Sequence, residues 1–176
     1  MEIREERPDD VESVAQVHRE AFGDHGEVVA ALVGDLRPAS GSLSLVADDG
    51  GRIVGHVLFS PAWLDAPARL VAVQVLSPLG VRPAMQRRGI GAGLIHRGTV
   101  LLGAAGVPAI FLEGDPRYYR RVGFVPAQPL GFRKPSLRIP GAAFQVLVLP
   151  AHEPWMTGTL VYPDPFWRRD AVGLRD

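Results

Sequence analysis

A basic loop with two glycines is the stretch of this sequence whose residue types and spacing most directly suggest chemistry. It lies within residues 79–94, which read LGVRPAMQRRGIGAGL, and it follows an apolar run that predicts a strand ended by Pro83. Gly89 and Gly91 leave backbone amides uncovered, while Arg87 and Arg88 add positive charge beside them. Because the first turn of a helix has unpaired N–H donors and the positive end of the helix dipole, this stretch predicts a phosphate-binding loop.

Spacing separates three families that use such a loop. A nucleotide P-loop requires Gly-x-x-x-x-Gly-Lys-Ser/Thr, and no glycine here is followed by Lys-Ser or Lys-Thr. A dinucleotide-binding turn requires Gly-x-Gly-x-x-Gly, but its last position is Leu94 when the count starts at Gly89 and His96 when it starts at Gly91. The pattern that remains is Gln86-x-x-Gly89-x-Gly91, placed directly after a predicted strand.

This pattern resembles the GNAT superfamily of N-acetyltransferases, whose members carry Q/R-x-x-G-x-G/A here to bind the pyrophosphate of acetyl-CoA. Leu79-Gly80-Val81-x-Pro83 is similar to the central strand of that family. Tyr119-x-x-x-Gly123-Phe124 is similar to its tyrosine-bearing helix. The long C-terminal part and the run GDPRYY at 114–119 look like the YhbS-like branch, which does not fix an acceptor.

The resemblance implies which residues would bind acetyl-CoA. Pro78 cannot donate to a sheet ladder, so we expect the central strands to separate there and to expose backbone groups to the pantetheine arm. A simpler alternative is that Pro78 marks a short loop between two strands. The implied cofactor-binding residues are Leu79, Gly80, Val81, Gln86, Arg87, Arg88, Gly89, Ile90, Gly91 and Ala92.

Tyr119 is the implied catalytic residue. By resemblance it protonates the departing CoA sulfur, and a phenol with an ordinary pKa of about 10 stays protonated at neutral pH. Tyr118 points about 100° away on a helix and is expected to pack.

The general base is left open by the sequence. Many family members have a glutamate on the central strand, whereas Gln74–Pro78 contains no carboxylate. A water held by backbone carbonyls or by Ser77 is one alternative, and Glu113 is the nearest acidic residue after the next strand. His56 would titrate in a useful range, but a lone histidine on a strand is more typical of a hydrogen-bonded structural residue.

Composition narrows the class of protein further. The 176 residues carry 19 basic and 19 acidic side chains, so no basic excess favours a nucleic-acid partner. Cysteine is absent, which excludes disulfides, thiolate metal sites and a cysteine nucleophile, and the histidines show no metal-ligand spacing. The charged start and the lack of an apolar run of about 18 residues predict a cytoplasmic protein with no membrane partner.

The elements that would position these residues follow from periodicity and turn signals. Helices are predicted over 9–22, 27–36, 88–105 and 116–122, and strands over 3–4, 42–47, 52–60, 69–79, 109–112 and 144–149. Residues 61–67 and 126–140 are expected to be loops, and the aromatic tail from 150 is expected to pack on the sheet. Gly55 predicts a bulge or a close backbone approach in its strand.

Taken together, the sequence predicts a single α/β domain over 1–176, with a core of about 1–149 and a C-terminal extension. Its GNAT-like sheet is expected to be mixed and mostly antiparallel, with six to seven strands, about four flanking helices and splayed central strands. The implied activity is acetyl-CoA-dependent N-acetyl transfer to a primary amine by direct attack, without a metal. The acceptor could be a small molecule or a peptide, and a homodimer is compatible with the pattern. The alternatives are a catalytically silent CoA-binding regulatory or interaction module, and a nucleotide-binding protein.

Overall fold

The structure is a computed structural model that describes residues 1–173. These residues form two compact units, the first containing Met1–Ser60 and Leu76–Val100 and the second containing Pro61–Val75 and the residues from Leu101 onward. The expectation of a single domain over 1–176 stays a prediction.

The elements of the first unit begin at the N-terminus and end in the helix that follows the glycine loop. Three elements, β3, β4 and α3, run through both units. The elements are β1 (Glu2–Glu5), α1 (Val11–Phe22), α2 (Gly26–Leu36), β2 (Leu43–Asp49), β3 (Arg52–Asp65), β4 (Leu70–Val81) and α3 (Ile90–Ala104). Short 3₁₀ turns lie at Pro8–Asp10, Gly23–His25 and Pro83–Met85.

The second unit contains the remaining strands and two short helices. They are β5 (Ala109–Glu113), α4 (Pro116–Tyr119), β6 (Val125–Pro126), β7 (Phe132–Arg133), β8 (Phe144–Val148), β9 (Gly158–Val161) and α5 (Asp164–Arg168). Residues 1–173 therefore contain nine strands and five α-helices, which confirms the predicted mixed, largely antiparallel α/β fold.

Strand pairing in the first unit follows the order β1, β2, β3, β4. The hairpin of β2 and β3 turns through Gly50 and Gly51, whose φ angles of 65° and 92° favour glycine. Its register shifts between Ala47 and Asp48, opposite Gly55. The predicted bulge is confirmed, whereas the predicted close approach is made by side chains and not by another backbone, because a Cβ at Gly55 would lie 3.0 Å from Ile90 Cγ2.

Pairing in the second unit places β5 between β4 and β8. The parallel ladder between β4 and β5 consists of Gln74 opposite Ile110 and Val75 opposite Phe111. β5 and β8 are antiparallel along their whole length, and β6 pairs with the far side of β8. All but the last residue of β5 are buried, as expected for a strand with partners on both sides.

Two segments expected to be loops form strands. Residues 61–65 continue β3, because Trp63–Asp65 pair with β9 from the C-terminal tail. Within 126–140, the short strand β7 pairs in parallel with β9. The paired residues are 94 to 98 positions apart in the ladder of β3 and β9 and 26 positions apart in the ladder of β7 and β9. No local pattern could therefore have indicated these strands.

Candidate active site

The glycine loop begins where β4 ends at Val81. One 3₁₀ turn leads from it into a bend at Arg87 and Gly89, whose φ angles are 61° and 80°. A left-handed conformation strains most side chains but not glycine, and a Cβ at Gly89 would meet nothing within 4 Å. Gly89 therefore permits the turn and leaves open space above the backbone.

The first turn of α3 begins at Ile90, and its backbone donors precede the first hydrogen bond of the helix. The bond from the Gly93 amide to the Gly89 carbonyl, 2.9 Å long, closes the first turn. The amides of Ile90, Gly91 and Ala92 precede that bond and lie at the positive end of a helix of 15 residues. This is the arrangement of donors that holds a phosphate.

Side chains of the loop add charge and fix its shape. Arg87 and Arg88 are exposed, whereas the Gln86 side chain turns back and donates from Nε2 to the Val81 carbonyl at 3.0 Å. Gln86 thereby ties the loop to the end of β4. Two guanidinium groups and three helix-terminal amides match an anion with two adjacent phosphates, so the residues present fit the diphosphate of CoA.

The last residues of β4 pack closely against α1. Leu79 and Val81 are partly exposed, while Gly80 between them is buried. A Cβ at Gly80 would lie 2.8 Å from His18 Nδ1 and 3.0 Å from His18 Cε1. The absence of a side chain at Gly80 is therefore what allows the His18 ring to lie against this strand.

A network of buried polar side chains starts at His18, and we call it the histidine network. His18 Nε2 lies 2.7 Å from His56 Nδ1, and His56 Nε2 lies 2.8 Å from Ser44 Oγ. Ser44 Oγ donates to Glu6 Oε2, and Arg37 donates to both Glu6 oxygens at 3.0 and 2.8 Å. Both histidines are fully buried.

Burial sets the charge of these histidines. Desolvation, followed by the positive charge of Arg37, lowers the pKa of His18 to about 4. Desolvation, followed by the charges of His18 and Arg37, lowers the pKa of His56 well below its ordinary value. Both rings are therefore neutral at pH 7, and each has one nitrogen with a free lone pair.

His56 was predicted to be a lone strand histidine, whereas it has His18 and Ser44 as partners. His18 lies on the buried face of α1 beside Val14 and Val17, which the helical periodicity does indicate. The pairing of His18 with a strand residue 38 positions later has no local signal. Glu6 and Ser44 were missed for the same reason.

Tyr119 lies in the second unit, at the end of α4. Asp115 caps this helix by accepting a bond from the Arg117 amide at 2.9 Å, and Gly123 ends the following turn with a φ of 97°. The Tyr119 ring contacts Phe124 edge-on, with 5.8 Å between centroids. Desolvation raises the pKa of Tyr119 above its ordinary value, so the phenol keeps its proton at neutral pH.

Tyr118 and Glu113 have other surroundings. Tyr118 is 37% exposed and meets the Tyr119 ring at 5.0 Å, so it covers that ring rather than filling the core. Glu113 accepts bonds from the Tyr162 hydroxyl at 3.1 Å and from the Gly173 amide at 2.9 Å. These contacts give Glu113 a role in holding the C-terminal tail.

Residues 1–173 contain no cluster of side chains suited to a metal ion. Within the same residues, no helix combines the length and the apolar character needed to cross a membrane.

The fold and the glycine loop agree with comparisons to known proteins. Residues 2–127 match the acetyltransferase (GNAT) domain family, and this chain belongs to that family. It is 36% identical over 121 residues to a protein of Escherichia coli named uncharacterized N-acetyltransferase YjhQ. That match covers 66% of this chain and 65% of YjhQ, so the chain spans somewhat less than two thirds of this relative.

Two solved structures resemble nearly the whole chain. One is the GNAT family N-acetyltransferase YhbS of Escherichia coli in complex with CoA, which is 31% identical to this chain with a TM-score of 0.83. The alignment covers 95% of this chain and 92% of the YhbS chain. A GNAT family acetyltransferase of Brucella melitensis, in complex with acetyl-CoA, is 34% identical with a TM-score of 0.74. The alignment covers 94% of this chain and 97% of the Brucella protein.

Proposed function

We propose that this chain is an acetyl-CoA-dependent N-acetyltransferase that transfers an acetyl group to a primary amine. The observation that carries the proposal is the set of amides that precede the first hydrogen bond of α3, flanked by Arg87 and Arg88. Membership of the GNAT family and two structural neighbours crystallised with CoA or acetyl-CoA support it.

The cofactor site we propose has two parts. Residues 86–92 hold the diphosphate through backbone amides and guanidinium groups. The backbone of Leu79, Gly80 and Val81 pairs with the amides of the pantetheine arm, as an added strand pairs with a sheet edge. These roles place the thioester beside the end of β4.

Chemistry at this site needs no covalent acyl-enzyme. Acetyl-CoA supplies an activated acyl carbon, and a neutral amine attacks it directly within a ternary complex. Binding both substrates together provides a large part of the acceleration. We assign Tyr119 the role of proton donor to the departing thiolate, because its raised pKa keeps the proton available at neutral pH.

The experiment that tests the function combines a binding and a turnover measurement. CoA binding is measured by calorimetry, and thiol release from acetyl-CoA is followed with benzylamine, spermidine, kanamycin and a peptide with a free N-terminus. We expect saturable CoA binding and acceptor-dependent thiol release with at least one amine class. CoA binding without turnover on any amine would favour the silent CoA-binding module, for which the missing carboxylate in Gln74–Pro78 is the specific argument.

A steric variant tests the cofactor site separately. Gly89→Trp places a large side chain over the helix amides, where the native backbone is open. We expect CoA affinity to be lost while the circular dichroism spectrum stays native. Unchanged affinity in a folded Gly89→Trp protein would contradict the proposed phosphate site.

A further inference from the structure

One nitrogen of the histidine network has no partner within the described residues. His18 Nδ1 is buried, makes no hydrogen bond and faces the backbone of Gly80. A buried polar atom without a partner is costly, so its persistence calls for a reason. We propose that His18 Nδ1 is the base that accepts the proton of the acceptor amine, and that His56, Ser44 and Glu6 carry this proton away.

The direction of the hydrogen bonds follows from the anionic end of the network. The Glu6 carboxylate, paired with Arg37, can only accept, so the Ser44 hydroxyl donates to it. Ser44 Oγ then accepts from His56 Nε2–H, which leaves the lone pair of His56 on Nδ1. That lone pair accepts from His18 Nε2–H, and the lone pair of His18 is left on Nδ1.

Every bond in this series therefore points from His18 toward Glu6. The arrangement leaves a basic lone pair at the end that faces Gly80, without requiring any charged ring. Neutral imidazoles are consistent with the lowered pKa values of both histidines, which the Arg37 charge and burial produce.

Proton transfer along the network balances. As the amine nitrogen forms its bond to the acyl carbon, its surplus proton passes to His18 Nδ1, and His18 gives the Nε2 proton to His56 Nδ1. His56 passes its Nε2 proton to Ser44, and Ser44 passes its own to Glu6. The C–S bond breaks, and the thiolate takes a separate proton from Tyr119, which solvent restores.

The far end of the network reaches a cleft. Glu6, Arg37 and Ser44 line a cavity of about 450 Å³ together with Arg7 and Val11. A proton that arrives on Glu6 can leave there to solvent, and both imidazoles then carry their proton on Nδ1. The first arrangement returns when a proton from solvent enters at Glu6 and the transfers run in reverse, which releases the proton on His18 Nδ1 after the product has left. The histidine network thus joins a fully buried ring to this cavity.

The other end of the histidine network, His18 Nδ1, lies beside Gly80, where the proposed function needs a base. Gly80 belongs to the backbone that we assign to the pantetheine arm, so this inference rests on the proposed function. The His18 ring also contacts Phe22, with ring centroids 5.8 Å apart, and Phe22 is 36% exposed. The proposal requires Phe22 to move so that an amine or one water reaches Nδ1, and such contacts commonly tighten only in the substrate complex.

Kinetics of three variants test the proposal, with acetyl-CoA and whichever amine of the four-member panel the wild type uses fastest. His18→Gln keeps an N–H donor toward His56 but has no basic nitrogen. Ser44→Ala interrupts the path to Glu6, and Ser44→Thr restores the hydroxyl. We expect kcat to fall on the order of 10²-fold in His18→Gln and clearly in Ser44→Ala, with recovery in Ser44→Thr.

The control variant is His96→Gln, because His96 is an exposed histidine outside the proposed machinery. Its kcat should stay at the wild-type value. CoA affinity by calorimetry should be unchanged in all variants, which separates loss of the base from loss of the cofactor site. Thermal unfolding of each variant checks that it is folded.

Nitrogen NMR of labelled histidines tests the tautomers without any substrate. In the wild type at pH 7, the proton of His18 should lie on Nε2 and that of His56 on Nε2. Binding of CoA should shift the His18 Nδ1 resonance, because Gly80 contacts the pantetheine arm.

The outcomes are distinguishable. Native turnover in folded His18→Gln, a proton on His18 Nδ1 at pH 7, or failure of Ser44→Thr to recover would overturn the relay while the acetyltransferase function stands. CoA binding without turnover of any amine by the wild type would overturn the proposed function, and the role of His18 with it.

Discussion

Acid titration of His18 gives a stability prediction whose sign and size follow from the structure. In the unfolded chain this imidazole has an ordinary pKa of 6.5, whereas burial and the Arg37 charge lower its pKa to about 4 in the folded protein. Between these values the unfolded state binds more protons than the folded state, so stability falls as the pH falls. A change of 2.5 pKa units at about 1.36 kcal/mol each corresponds to about 3 kcal/mol.

His56 changes stability in the same direction, because its pKa is also lowered by burial and by the charges of His18 and Arg37. The titratable and charged groups that act on His18 are His56, whose ring meets it edge-on at 4.9 Å, and Arg37, while Phe22 and Gly80 lie against other parts of the ring. The loss should therefore begin near pH 6.5 and be complete for His18 near pH 4. Carboxylates such as Asp10, whose pKa is lowered mainly by its bond to Arg4, act at lower pH.

Urea unfolding at pH 7.5, 6.5, 5.5 and 4.5, followed by circular dichroism, measures this effect. We expect the free energy of unfolding of the wild type to decrease across the series by more than that of His18→Gln, with the difference approaching about 3 kcal/mol. His96 is exposed, so the free energy of unfolding of His96→Gln should change with pH as that of the wild type does. Parallel curves for the wild type and His18→Gln would refute a neutral, desolvated His18.

Two further predictions concern packing and catalysis. Gly98→Ala would place a Cβ 2.2 Å from Cε2 of the buried Phe59 ring, so we expect the free energy of unfolding to fall by about 1–3 kcal/mol. Gly103 lies on the same helix, and a Cβ there would meet nothing within 4 Å. Gly103→Ala should therefore raise the free energy of unfolding by up to about 1 kcal/mol. Urea unfolding measures both, and equal stability of the two variants would contradict the packing of α3 on β3. Tyr119→Phe should lower kcat while leaving CoA affinity unchanged, and a native kcat would remove Tyr119 from the mechanism.

Local signals account for most of the elements in the first unit. Asp48-Asp49-Gly50-Gly51 predicted the hairpin, because two successive residues with positive φ favour glycine. The start of α3 was predicted within two residues, at 88 rather than Ile90. In the second unit, Asp115 before Pro116 predicted the start of α4, because aspartate caps a helix whose first residue is proline.

Long-range partners account for what the sequence did not predict. Trp63–Asp65 became part of β3 only because β9, almost a hundred residues later, supplies a pairing edge. His18 and His56 are brought together by the packing of a helix on a strand, and neither local pattern contains the other residue. Gln74–Pro78, where the family pattern places a base, contains no carboxylate, and no local signal points to the ring that packs against Gly80.

The glycine loop is the feature on which the proposed function depends, and a crystal structure with acetyl-CoA tests it most directly. The account predicts diphosphate oxygens within hydrogen-bond distance of the amides of Ile90, Gly91 and Ala92, and the pantetheine arm along residues 79–81. A diphosphate that binds elsewhere and makes no contact with these three amides would contradict the account.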